Sequence, residues 1–232
     1  MLLQTSLEEL QLVIMPCREP LDPQIHDSYN SAYQLWHKVW SETLNELDGV
    51  NKLFSNEFTR NDFVMAILSN KKAISLACYT AVDLKLDTRK NDSWFECWPK
   101  ELLDDPARRP GLGVFASWFT VASEFRKRQS HSEINIAQIM VEGFGKIVLE
   151  DGYNVGFGTS RNNRGVNKML YNIGATKHGE AISHGCDVDL ILIEPSHVNR
   201  NQTHYSKEFK HLWERRIDYR RIENEYKLSK SA

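Results

Sequence analysis

What the sequence lacks narrows it first. No window approaches the roughly 18 consecutive apolar residues that cross a bilayer. The opening stretch, Met1 to Met15, has neither the basic start nor the unbroken apolar centre of a secretory signal. The expected compartment is therefore the cytoplasm. Only four cysteines occur, Cys17, Cys78, Cys97 and Cys186, and no two form a Cys-x-x-Cys pair. That excludes a disulfide scaffold and predicts reduced thiols. Neither charge sign is in large excess: the net charge of -2 gives no global attraction to nucleic acid or to a membrane surface. There is no Gly-x-Ser-x-Gly elbow for a serine nucleophile, no internal repeat and no low-complexity segment.

What is there suits one sizeable core. The 232 residues are 41% hydrophobic and 26% charged, the balance of an ordinary globular chain. Leu10 to Cys17 is short and apolar and reads as a strand, broken by the two prolines of Arg18 to Gln24. Asp27 caps a predicted helix from Ser28 to about Gly49, with Tyr29, Tyr33, Trp36, Trp40 and Leu44 at helical spacing. Phe63 to Leu68 and Ala73 to Leu84 read as a hairpin turning at Ser69 to Lys72. Asp87 to Gly113 is a polar, proline-bearing excursion with a short helix over Trp94 to Leu103.

Val114 to Val121 reads as a strand buried on both faces. A basic turn, Arg126 to Ser132, leads into a helix over Glu133 to Glu150 with a 3.6-residue apolar period. A strand over Asn154 to Thr159, a helix over Gly165 to Ile173 and strands at Thr176 to Ser183 and Val188 to Ile193 follow. Ser206 to Leu228 reads as a charged amphipathic helix. Its acids and bases interleave, which suits a solvated face with i,i+4 pairs. The functional alternative is docking of a second subunit or an acidic carrier protein. Hairpins in front and crossovers behind predict a mixed sheet in one α/β domain.

Candidate chemistry concentrates between Val114 and Ala175. The basic turn opens a helix, whose N-terminus offers unpaired N–H groups to an anion. Small residues at Ser130 and Ser132 let a phosphate approach the backbone. The plainer reading is a solvated turn with serine caps. His178, His184, Cys186, Asp187 and Asp189 cluster in sequence, but their spacing fits no zinc pattern, so no metal is expected. Cys97, among Trp94, Phe95 and Trp98, reads as a buried inert thiol.

Two segments carry a resemblance. Lys127-Arg128-Gln129-Ser130-His131-Ser132 stands where an acyl-CoA loop reads Gln/Arg-x-x-Gly-x-Gly/Ala, with serine at both glycine places. Asn163-Arg164-Gly165-Val166-Asn167-Lys168-Met169-Leu170-Tyr171-Asn172-Ile173-Gly174 places a glycine eleven residues after an asparagine. With the element order over Leu10 to Ile193, the chain resembles the GNAT (Gcn5-related N-acetyltransferase) superfamily. The resemblance implies a GNAT-like domain over residues 1–195, helices on both sheet faces, and a sheet splayed between its fourth and fifth strands. Residues 196–232 are then a C-terminal helical extension.

It further implies an N-acyltransferase. An acyl group passes from a pantetheine thioester, acyl-CoA or acyl-carrier protein, to an amine that attacks directly. The donor is a substrate and no cofactor is permanently bound. The acceptor is unidentified, and a homodimer is the assembly considered. Donor contacts fall on Phe119, Thr120, Val121, Arg126, Lys127, Arg128, Gln129, Ser130, His131, Ser132 and Asn163. Aromatic residues of the interior (Trp36, Trp40, Phe115, Trp118, Phe119) either line an acyl channel or build the core. Catalytic candidates are Tyr171, Glu124 and Ser117. The family's tyrosine acid lies four residues before the glycine. Leu170 holds that place here and Tyr171 follows it, a turn of about 100° on a helix. The fourth strand has no glutamate base. The rival reading is a GNAT-like binding or regulatory module that has lost turnover.

Overall fold

The computed structural model describes residues 6–20, 22–104, 111–126, 134–201 and 204–220. The first part of the chain runs β1 (Leu10–Pro16), α1 (His26–Asp48), α2 (Asn56–Thr59), β2 (Phe63–Ser69) and β3 (Lys72–Val82). Next come α3 (Asp87–Lys90), α4 (Lys100–Asp104), β4 (Gly113–Val121), α5 (Ile136–Glu150), β5 (Val155–Arg161) and α6 (Val166–Asn172). The chain closes with β6 (Thr176–Ser183), β7 (Cys186–Ile193), α7 (Pro195–Asn201), α8 (Lys207–Glu214) and β8 (Ile217–Asp218). The strands hydrogen-bond in the order β6-β7-β5-β4-β3-β2-β1-β8. The β4–β5 and β1–β8 ladders are parallel, and β1–β2, β2–β3, β5–β7 and β6–β7 are antiparallel, so the sheet is mixed.

The chain divides into two compact units. Unit 1 comprises Met1–Tyr79, Trp118–Met140 and Ser206–Ala232; unit 2 comprises Thr80–Ser117 and Val141–Tyr205. In unit 1, α1 covers one face of β1, β2 and β3. Val13, Met15, Val64, Ala66, Leu68, Leu76 and Cys78 alternate onto that face and meet Ala32, Trp36 and Leu44 of the helix. Trp36 is fully buried, edge-on to Trp118 and tilted against Phe58. Each such buried large side chain contributes about 1.5–3 kcal/mol.

Unit 2 has elements on both faces of β5. Phe157 packs with Phe95, Trp98 and Phe115 on one side. On the other, α5 lies so close to Gly156 that an added Cβ would stand 2.7 Å from Val148 and 2.9 Å from Phe144.

Several expectations shift. α1 starts at His26, with Asp27 inside its first turn. The capping aspartate is Asp22, which accepts from the Gln24 amide at 2.9 Å and opens a 3-10 turn ahead of the helix. The helix expected over 94–103 is two pieces, a 3-10 turn at Ser93–Phe95 and then α4, divided by Pro99, which has no N–H to continue a helix. β4 is not buried throughout: its two ends are, and residues 116–119 are half-exposed. α5 begins at Ile136, and β5 runs on to Arg161.

The long C-terminal helix is interrupted. α8 is capped by Ser206, whose hydroxyl accepts from the Phe209 amide, and it stops at Glu214. Arg216 then stacks over the Trp213 ring and donates to the Trp213 carbonyl at 2.8 Å, and Ile217–Asp218 pair with Val13 and Ile14 as β8. Residues 221–232 lie outside the described residues.

Candidate functional site

β4 departs from regular strand geometry midway. Its ladder to β5 has four pairs, Gly113↔Val155 to Ala116↔Gly158. Two residues later Trp118 takes φ 55, a left-handed conformation rare for a bulky side chain. The strain is held by local bonds. Thr120, 1% exposed, donates its hydroxyl proton to the Trp118 carbonyl at 2.7 Å and accepts from the Trp40 indole N–H at 2.9 Å. Ser75 donates to the Thr120 carbonyl at 2.6 Å, and the Trp40 ring packs edge-on to Trp118 at 4.8 Å.

The predicted donor contacts on β4 therefore differ in kind. Ser117 and Phe119 are half-buried, whereas Thr120 and Val121 are buried, and the Thr120 hydroxyl is committed to the strand's own bend. Glu124 is exposed in a 3-10 turn at Ser123–Phe125, where it accepts from the Ser123 hydroxyl at 3.0 Å. Arg126 turns its Nε back onto the Val121 carbonyl at 3.0 Å. Lys127, Arg128, Gln129, Ser130, His131 and Ser132 lie outside the described residues.

A separate group of residues lies wholly within unit 2. β5 ends in a 3-10 turn, Asn162–Arg164, on which Asn163 is exposed. α6 follows and closes at Gly174, whose φ of 100 admits no other residue without strain and lets the Ala175 amide return to the Leu170 carbonyl at 3.1 Å. Leu170 is 6% exposed, part of the core. Asn167 and Tyr171, four residues apart on α6, turn instead toward Asp189 on β7.

Asp189 is 3% exposed, and its carboxylate collects donors from three elements. Oδ2 accepts from the Tyr171 hydroxyl at 2.5 Å and from Asn167 Nδ2 at 2.8 Å. Lys177 of β6 places its ammonium 3.0 Å from Oδ1 and also pairs with Glu180. Asn167 Nδ2 reaches Asn162 Oδ1 at 3.2 Å, tying in the turn before α6. Burial alone would push this carboxyl up. Bonds from Tyr171, Asn167, Lys177 and Asn162 outweigh it and hold the pKa at about 2. Burial first, then the Asp189 carboxylate, push the Tyr171 phenol up to about 12. Lys177 is raised by its bonds to Glu180 and Asp189. The group is thus a neutral phenol and an ammonium around a permanent carboxylate.

Of the predicted residues only Tyr171 joins this network; Asn163 stands beside it on the surface. Sequence reasoning missed Asp189, Lys177, Asn167 and Asn162 as partners. Two signals pointed to Asp189 and Asn167: a lone acid inside the apolar run Val188 to Ile193, and the i,i+4 spacing of Asn167 and Tyr171. Among the described residues no cluster of His, Cys, Asp or Glu could hold a metal ion. His178 lies 2.8 Å from the Thr176 hydroxyl.

Known structures share this arrangement of elements. The chain is similar to the CoA-dependent acyl-homoserine lactone synthase BjaI, solved with SAM and isopentyl-CoA: TM-score 0.56, 10% identity, over 84% of this chain and 89% of that one. It is also similar to the acyl-homoserine lactone synthase LasI, at TM-score 0.52 and 14% identity over 79% and 88% of the two chains. Spermidine N-acetyltransferase from Vibrio cholerae, with CoA and spermine, matches at TM-score 0.48 and 10% identity over 83% and 99%. The fold is the mixed α/β fold of these acyl-homoserine lactone synthases. No family model and no curated protein sequence matches the chain. At these identities the likeness is one of fold, shared with acyl-homoserine lactone synthases. Among the described residues no helix is long and apolar enough to cross a membrane.

Proposed function

We propose that this chain is an acyltransferase that moves an acyl group from a pantetheine thioester, borne by CoA or a carrier protein, to an amine. The carrying observation is β4, which ends its ladder to β5 at Ala116 and turns left-handed at Trp118. A strand that runs on past the end of its ladder can hydrogen-bond the amides of a pantetheine arm, and one solved structure of similar fold, BjaI, holds isopentyl-CoA. The amine nitrogen attacks the thioester carbonyl carbon, the C–S bond breaks with both electrons on sulfur, and the nitrogen sheds a proton to solvent or to exposed Glu124. Catalysis of this kind is positioning and proton removal, with no enzyme nucleophile. Within unit 1, Phe119 flanks the donor's path, and Arg126 with the basic run after it meets the phosphates.

Because BjaI was solved with SAM, SAM is the first amine to try. The test is calorimetric titration with CoA, acetyl-CoA, isopentyl-CoA and an acylated carrier protein, followed by a thiol-release assay with SAM and with simple amines. Binding together with amine-dependent thiol release supports the reading. Binding without release supports a second reading, a GNAT-like binding module without turnover. Leu170 favours that second reading, since it fills the family's tyrosine place and is buried. No binding and no release with any donor would sink both.

A further inference from the structure

The resemblance assigns the proton for the leaving thiolate to a tyrosine on α6, but Tyr171 points its hydroxyl elsewhere. The O–H is donated to Asp189 Oδ2 at 2.5 Å, on a carboxylate 3% exposed. That same oxygen accepts from Asn167 one helical turn earlier, at 2.8 Å. Asn167 in turn reaches Asn162, the first residue of the turn that carries Asn163. From the far side Lys177 closes on Oδ1 and is itself held by Glu180. Tyr171, Asn167, Asn162 and Lys177 thus converge from α6, the turn before it and β6 on one buried anion of β7.

We infer that Asp189 is a positioning residue, and that with Tyr171 it clamps α6 and the Asn162–Arg164 turn in place instead of supplying a proton to the leaving thiolate. A phenol that leaves Asp189 would strip a buried carboxylate of a donor, which the fold resists. The thiolate must then take its proton from water, and the nitrogen must lose its own to water or to an exposed base, so the balance closes without Tyr171. The inference rests on the proposed acyl transfer for its catalytic half. The clamp itself stands on the geometry alone.

The test compares wild type with Tyr171→Phe and Asp189→Asn in two ways. Hydrogen exchange reads the clamp without any donor. Both variants should raise the exchange of amides over residues 162–172 at least ~10-fold while the β2–β3 hairpin keeps its protection. Equal protection over 162–172 would overturn the clamp. Single-turnover rates with alkyl and aryl thioesters of one acyl group read the proton. A positioning role slows both donors by the same factor in Tyr171→Phe. A proton-donating role slows the alkyl thioester, the poorer leaving group, selectively, and that result would overturn the inference. If Asp189→Asn does not fold, Tyr171→Phe, which removes one hydroxyl, carries both measurements. If wild type consumes no thioester, the acyltransfer reading fails by itself and the exchange data still decide the clamp.

Discussion

Asp189 shows how one buried charge is made tolerable. An isolated carboxylate inside a protein would protonate; here two side chains donate to one oxygen and the Lys177 ammonium pairs with the other at 3.0 Å, so the ionised form persists. The sign of its pH dependence follows. The folded carboxyl titrates at about 2 against an ordinary value of 3.8, so its stabilisation is present above about pH 4 and is lost as pH falls toward 2. The amount is about 2 kcal/mol. Tyr171 and Lys177 stay protonated across this window, and exposed Glu180 is the remaining acid beside them. Urea midpoints measured from pH 6 to 2 should fall in wild type and flatten over the lower part of the range in Asp189→Asn.

A second residue carries the opposite lesson. Asn70 and Lys71 at the β2–β3 turn have φ 50 and 65. Lys71→Gly should raise stability by about 0.5–1 kcal/mol, read as a higher urea midpoint, because glycine accepts the left-handed turn without a Cβ clash.

At the scale of elements, β4 decides most. Its bend needs Thr120 to serve Trp118 and Trp40 at once. Thr120→Val keeps the shape but removes one hydrogen-bond donor and one acceptor from a buried position. The expected loss is about 1–3 kcal/mol in denaturant unfolding.

This strand also marks where the sequence stops being legible. The apolar run Val114 to Val121 identifies a strand, but nothing in it announces a left-handed residue. Trp118 adopts that conformation because distant rings, Trp36 and Trp40, and the Thr120 side chain hold it there. α1, the β2–β3 hairpin, α5 and β5 were readable because each carries its own period. The tail was misleading for the same reason: Phe209, Leu212, Trp213, Tyr219 and Ile222 keep a helical spacing, yet the open edge of β1 takes Ile217 and Asp218 as a strand and ends the helix early. Tyr171 stands one residue past the tyrosine place of its motif. Its partner Asp189 lies eighteen residues away on another element, a distance no local pattern spans.

For the molecule as a whole, burial sets chemistry that a sequence count cannot. All four cysteines are free thiols. Cys17 and Cys78 are fully buried, whereas Cys97 and Cys186 are half-buried. An aromatic disulfide reagent should therefore titrate two thiols in the native protein and four after unfolding. Cys97 should react slowly for a half-buried thiol, since burial raises its pKa.

The two compact units have one more consequence. Unit 1 draws on three separate stretches of the chain and unit 2 on two, with β3, β4 and α5 contributing residues to both. No single gene fragment encodes either unit by itself. A recombination event that swaps the front or back half of the coding sequence breaks both at once. Surviving descendants of such an ancestor would be expected to vary by insertion at loops and by side-chain replacement, and not by exchange of halves.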